Sequence, residues 1–222
     1  MTQNLKLEGV TVDFDGYTAL AEVSFETQAK SIAVIGENGS GKSTFARLLN
    51  GLVQPTAGVI TVDGQKPTTK NASLIFSNPD LQIVMPTVFE DVAYTLSDQK
   101  LTKDEVRERV NLALAQVDIL ELANDNCYSL SSGQKQLLAI ASAVVRSPKL
   151  VIADEPTTLL DLPNTKLITK VLHEMPVEQL VLVTHDLELA ATCEEVVWIS
   201  EGRIKLVGSP AEVVGAYRKY FA

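Results

Sequence analysis

The stretch Gly36-Glu37-Asn38-Gly39-Ser40-Gly41-Lys42-Ser43-Thr44 has the spacing of a phosphate-binding loop: a glycine, four variable residues, then Gly-Lys-Ser. Glycines at these positions let successive backbone N–H groups turn inward around phosphate oxygens. A helix beginning at Lys42 would add about half a positive charge at the same place. Lys42 is then placed to reach the β and γ phosphates of a nucleotide, and Ser43 to offer its hydroxyl to Mg²⁺. A glycine-rich turn with an accidental Lys-Ser is the alternative. It leaves the apolar run before the loop and the amphipathic segment after it unexplained.

Asp154 and Glu155 follow the apolar run Leu150-Val-Ile-Ala153. Carboxylates that leave the core at a strand's carboxyl end meet ligand at the edge of the sheet. There Asp154 would hold Mg²⁺, through water, and Glu155 would polarise a water for in-line attack on the γ-phosphate. Capping of the turn before Pro156 accounts for the same pair. His185 ends a third apolar run, Leu180-Val-Leu-Val-Thr184, and at that edge would contact the γ-phosphate. A lone histidine is otherwise usually structural. Leu130-Ser131-Ser132-Gly133-Gln134 places small polar residues at a helix start, which is either a second anion site or an ordinary capping box.

Strands and helices must hold these residues in place. Ser31-Ile-Ala-Val-Ile35 runs into Gly36, and Phe45, Leu48, Leu49 and Leu52 follow at helical spacing, so the order is strand, glycine loop, helix. Fully apolar runs of this length read as parallel strands buried on both faces. Leu5, Leu7, Val10, Val12 and Phe14, then Val23, Phe25 and Thr27, alternate about an Asp15-Gly16 turn. With Gly58-Val-Ile-Thr-Val62 they predict an antiparallel β layer. Residues 80–148 differ in character. Thr102 and Glu105 form a capping box ahead of Val106, Val110, Leu114 and Val117, and a second helix is predicted from Ser131 until Pro148 stops it. The tail returns to a hairpin, Val196 to Ile199 and Ile204 to Val207 about Glu201-Gly202, then a helix opened by Ser209, Pro210 and Glu212. His173 lies off the stripe Ile168, Val171, Leu172 and Met175 and reads as a solvated helix residue.

The chain has 222 residues, 45% hydrophobic, with 19 Lys plus Arg against 28 Asp plus Glu. One compact domain with a real core is the expectation, and a net charge of −9 without a basic stripe argues against nucleic acid as a partner. The longest apolar stretch, Leu137 to Val145, falls short of the roughly 18 residues of a spanning helix. The N-terminus lacks the pattern of an export signal, which points to the cytosol. Cys127 and Cys193 are not a close-spaced pair and read as free thiols serving as small apolar fillers.

Taken in order, these motifs resemble the ATP-binding-cassette (ABC) ATPases over nearly the whole chain. The resemblance implies an α/β fold of the P-loop NTPase class: a parallel core sheet and antiparallel β layer from residues 1–79 and 149–222, with an inserted helical lobe at 80–148. It implies an Mg²⁺-dependent ATPase, with Lys42, Ser77, Glu155 and His185 as catalytic residues. Asp161, in the loop after Pro156-Thr157, joins the nucleotide-binding set, as do Ser131, Gly133 and Gln134. Phe14 occupies the place of an aromatic residue stacked on adenine. In that family two cassettes, identical or homologous, pair head to tail, and Ser131 of one completes the site formed by Lys42 of the other. Two positions depart from the family pattern: Ser132 replaces a glycine, and Ser77 replaces the glutamine at the hinge of the lobe, with Gln82 as an alternative for that role.

Asn78-Pro-Asp-Leu-Gln82-Ile83 and Thr87-Val-Phe-Glu90-Asp91-Val92-Ala93 resemble the cassette subunits of energy-coupling-factor importers of vitamins and metals. That implies a location on the cytoplasmic face of the cell membrane, beside a transmembrane coupling component (T) and a substrate-capture component (S). The short tail resembles the compact subunits of dedicated systems, biotin importers among them. A cassette of another ABC transporter and a soluble non-transport cassette are the competing readings.

Overall fold

The computed structural model describes residues 3–222. Met1 and Thr2, at the start of the terminus that lacks the pattern of an export signal, lie outside the described residues. Strands β1 (Leu5–Phe14) and β2 (Tyr17–Thr27) pair antiparallel across Asp15 and Gly16, both at positive φ. Strand β4 (Ala57–Val62) pairs antiparallel with the other edge of β1. Leu5, Leu7, Val10 and Val12 are all buried although their numbering changes from odd to even. A register shift between Leu7 and Val10 supplies the extra residue, so both pairs face inward.

A six-stranded sheet in the order β5-β6-β7-β3-β8-β9 forms the core. It comprises β3 (Ser31–Ile35), β5 (Ala72–Ile75), β6 (Leu150–Asp154), β7 (Gln179–Val183), β8 (Glu195–Ser200) and β9 (Arg203–Gly208). Strands β6, β7, β3 and β8 run parallel, and β9 returns antiparallel through the Glu201-Gly202 turn. The apolar runs that predicted parallel strands are buried along their length. Helix α1 (Lys42–Asn50) packs on β6 and β7, the four-residue α6 (Leu187–Ala190) on β3, and α7 (Pro210–Tyr220) on β8 and β9. Gly51, at φ 79, ends α1 by donating its N–H to the Leu48 carbonyl.

The chain divides into two compact units. One holds Met1–Leu74, Lys149–Glu155 and Glu178–Ala222, and the other Ile75–Pro148 and Pro156–Val177. The second, helical unit is larger than the 80–148 lobe read from sequence. It gains α5 (Leu162–Glu174) because α5 packs on α4 (Ser132–Val144). It also contains α3 (Lys103–Gln116) and α2 (Val88–Tyr94). Helix α4 ends at Val144, ahead of Pro148, with Val145 as its C-cap and Ser147 in the left-handed region. Among the described residues no helix is long and apolar enough to cross a membrane.

Candidate active site

Two glycines fix the shape of the phosphate loop. A Cβ on Gly36 would run into the Ile199 carbonyl, and one on Gly41, at φ 105, into the Ala19 carbonyl. Gly41 is also the N-cap of α1, which opens without a side-chain cap. Helices α3, α4, α5 and α7 instead open on Thr102, Ser131, Asp161 and Ser209, whose side chains accept from the first turn. The first amides of α1 could therefore take an anionic ligand. Lys42, 7% exposed, donates from Nζ to the carbonyls of Gly36 at 2.8 Å and Glu37 at 2.9 Å. Burial lowers its pKa, and the carboxylates of Glu155, Asp154 and Glu37 oppose that shift. Ser40 is buried, and its Oγ has no hydrogen-bond partner among the described residues. Asn38 and Gly39 are exposed, and Thr44 is half-buried.

The carboxylates reach this loop from the adjoining strands. Ser43 Oγ donates to Asp154 Oδ1 at 3.3 Å, across 111 positions of sequence. Burial pushes the Asp154 carboxyl up; the Ser43 hydrogen bond lowers it, Glu155 adds to the rise, and Arg47 and Lys42 oppose it. Glu155 leaves β6 at φ 54, a left-handed conformation that costs a side chain-bearing residue about 1 kcal/mol or more. Its N–H is held by the Val183 carbonyl at 2.8 Å. That turn carries its Oε2 to 2.7 Å from Nδ1 of His185, in the loop after β7. When Nδ1 carries the proton it donates to Glu155, and Nε2 remains for a second partner. The carboxyl edge of one sheet therefore gathers an anion cradle, a hydroxyl with a carboxylate, and a carboxylate with an imidazole. Such a set can bind a polyphosphate and orient water toward it. Phe14, at the end of β1, is 46% exposed.

The remaining residues singled out from sequence lie in the helical unit. Ser131 is the N-cap of α4 in a complete capping box: its Oγ accepts from Gln134 N at 3.3 Å, and Gln134 Oε1 accepts from Ser131 N at 2.9 Å. Asp161 caps α5 and accepts from Asn164 Nδ2 at 2.7 Å. Asn164 in turn sits where a Cβ on Gly133 would fall, so Gly133 lets the first turn of α4 approach Asn164. Ser77 is half-buried and lines a cavity of about 150 Å³ with Ser132, Gln136 and Thr158. Gln82 Oε1 accepts from Phe76 N at 2.8 Å, which ties Gln82 to the hinge backbone.

The family model for ABC transporters matches residues 20–158, from β2 through the phosphate loop and the Ser131 cap of α4 to the Asp154 motif. The chain belongs to the ABC transporter family. It is an ATP-binding, ATP-hydrolysing cassette. This ABC cassette is 38% identical over 224 residues to the biotin transport ATP-binding protein BioM of Rhizobium etli, covering 99% of this chain and 100% of that one. It is 38% identical over 205 residues to the energy-coupling factor transporter ATP-binding protein EcfA1 of Lactiplantibacillus plantarum, covering 87% and 73%. Among solved structures it is similar to cbiO1 of Clostridium perfringens, part of the transporter complex cbiONQ. The TM-score is 0.88 at 32% identity, covering 99% of this chain and 94% of that one.

Two residues of the ABC cassette's candidate site are not evident from sequence motifs. Tyr17 donates its hydroxyl to the Gly39 carbonyl at 3.3 Å, bridging the β layer and the phosphate loop. An aromatic directly after the Asp15-Gly16 turn is the only sequence signal for it. Asn164 has one as well: it stands at the third position of a helix capped by Asp161, where its N–H is the expected donor to the cap.

Proposed function

We propose that this cassette is the ATPase of an energy-coupling-factor-type importer, and that it powers uptake of a vitamin, with biotin first, or of a transition-metal ion. The observation that carries the reading is the near full-length similarity to BioM, joined to its partial similarity to EcfA1. The site geometry supports hydrolysis as the motive step. Lys42 and the amides of residues 36–44 bind the ATP phosphates, Phe14 stacks on adenine, Glu155 accepts a proton from the attacking water, and His185 contacts the γ-phosphate. Ser77, at the hinge, helps place that water.

The Ser43 hydroxyl and the raised Asp154 carboxyl, both oxygen donors, suit Mg²⁺, which prefers one or two protein oxygens alongside phosphates and water. Bound there, Mg²⁺ would neutralise phosphate charge. Two cassettes, two copies of this chain or one copy with a homologue, close head to tail so that Ser131 of one completes the ATP site formed by Lys42 of the other, with Gly133, Gln134 and Asp161 also in the nucleotide-binding set.

Leu81 and Val84 are exposed ahead of α2, whereas Val88 is buried. The exposed pair supports docking of this edge on a T component, with an S component bound to that. The cassette then works on the cytoplasmic face of the membrane. Purification of the tagged cassette from detergent-solubilised membranes should bring down two integral membrane proteins, and radiolabelled biotin uptake should stop in a Lys42→Ala strain. Recovery with the paired channel subunits of another importer class, or with no membrane protein, contradicts the reading. Intact biotin uptake beside lost metal uptake moves the cargo to the metal.

A further inference from the structure

The phosphate loop is braced from behind by the β8–β9 hairpin. Gly202 N donates to the Ser40 carbonyl at 3.0 Å, and the Ile199 carbonyl lies against Gly36, where any Cβ would collide with it. Trp198, one residue before Ile199 on β8, lies at the centre of an aromatic cluster supplied by α7 and the residue after it. Its ring centroid is 5.1 Å from Tyr217, 5.3 Å from Tyr220 and 6.5 Å from Phe221. Lys205 on β9 places its ammonium 4.4 Å from the Trp198 centroid and 3.2 Å from that of Tyr220. Tyr220 and Phe221 also line a cleft of about 320 Å³ together with Glu37, Asn38, Gly39 and Ser40 of the loop. Burial, and after it the Glu37 carboxylate, push the Tyr217 phenol up.

We propose that Trp198, Lys205, Tyr217, Tyr220 and Phe221 are positioning residues for ATP binding: the cluster holds the hairpin turn, and the turn holds the phosphate loop in its anion-binding shape. Edge-to-face ring contacts and a cation over two rings have restricted geometry, so they fix the orientation of α7 on the hairpin more tightly than aliphatic packing would. A loop that must order itself around phosphate binds more weakly than one held ready. Loss of the brace therefore weakens ATP binding and leaves the chemical step, carried by Glu155 and His185, unchanged. The inference rests on ATP binding at residues 36–44.

Trp198 is the chain's one tryptophan, so its emission reports on the brace without a label. Titration of the parent with MgATP should change that emission, with a midpoint equal to the Kd from equilibrium dialysis of radiolabelled ATP. Phe221→Ala should raise Kd and KM about fivefold with kcat unchanged, the pattern of lost uniform binding. Phe221→Tyr should return both to parent values. Lys205 is exposed, so Lys205→Gln removes the cation without opening the core and should raise Kd in the same direction. Parent Kd and KM in both Phe221→Ala and Lys205→Gln, whatever happens to Tm, would make the cluster plain packing and overturn the proposal. A fall in kcat at constant KM overturns it too. Failure of the parent itself to bind MgATP in dialysis would instead remove the reading of the loop on which the proposal stands.

Discussion

Asp154 shows how the site trades stability for chemistry. It is 7% exposed, and burial raises its pKa, so the fold favours the protonated acid. The stability which that preference supplies is present below the usual carboxylate pKa and is lost as pH rises through the raised value. At neutral pH the ionised group is therefore a cost. Asp154→Asn should melt a few degrees higher than the parent at pH 7, with the gap closing as pH falls, while ATP turnover drops. Paired thermal melts and ATPase assays across pH check this, and a lower Tm in the variant at pH 7 would contradict it. The residues of this edge were legible because phosphate chemistry forces Gly36, Gly41, Lys42 and Ser43 into one short stretch. The 3.3 Å contact of Ser43 with Asp154 was inferable only as two residues sharing a ligand. Spacing across 111 positions carries no signal of its own. Tyr17 left only the faint signal of an aromatic after a turn, and nothing in that signal says that its hydroxyl will meet the Gly39 carbonyl.

At the scale of elements, α4 has two claims on Ser131, as its cap and as the proposed contact to ATP on a second cassette. Ser131→Ala should destabilise the fold by about 1 kcal/mol through loss of the cap. Ser131→Asn keeps a capping oxygen, so it should restore the denaturation midpoint yet leave turnover low. Recovery of both in the Asn variant would reduce Ser131 to a cap. Capping boxes were readable because Ser131 with Gln134 and Thr102 with Glu105 each satisfy two orphan amides from a three-residue spacing. The same signature, Thr87 with Glu90, marks α2, but that helix spans only Val88–Tyr94, too short to show a period among Val84, Met85, Val88 and Phe89. The assignment of α5 to the helical unit was hidden for another reason. Membership depends on which helix the α5 stripe of Ile168, Val171 and Leu172 packs against, and a stripe names no partner.

For the whole molecule, the two thiols report on global integrity. Burial pushes Cys127 up to about 11 and Cys193 up to about 12. Both should resist iodoacetamide at pH 8 in the native protein and react once it unfolds. The raised values also mean that stability is full below the ordinary thiol pKa, declines above it because the unfolded chain ionises first, and is fully lost once pH has risen through 11 and 12. Denaturation midpoints at pH 8 and pH 10.5 read that loss, and a midpoint independent of pH over this interval would contradict it.

The proposed assembly of two cassettes around ATP depends on nucleotide staying in the site. That makes the division of labour between Lys42, which binds, and Glu155, which activates water, the claim on which the function rests. The measurement that tests it most directly is ATP binding and steady-state turnover on parent and Glu155→Gln side by side. The account predicts parent affinity for MgATP in the variant and turnover lower by about a hundredfold or more, as loss of a general base requires. Hydrolysis by Glu155→Gln at near the parent rate would contradict it.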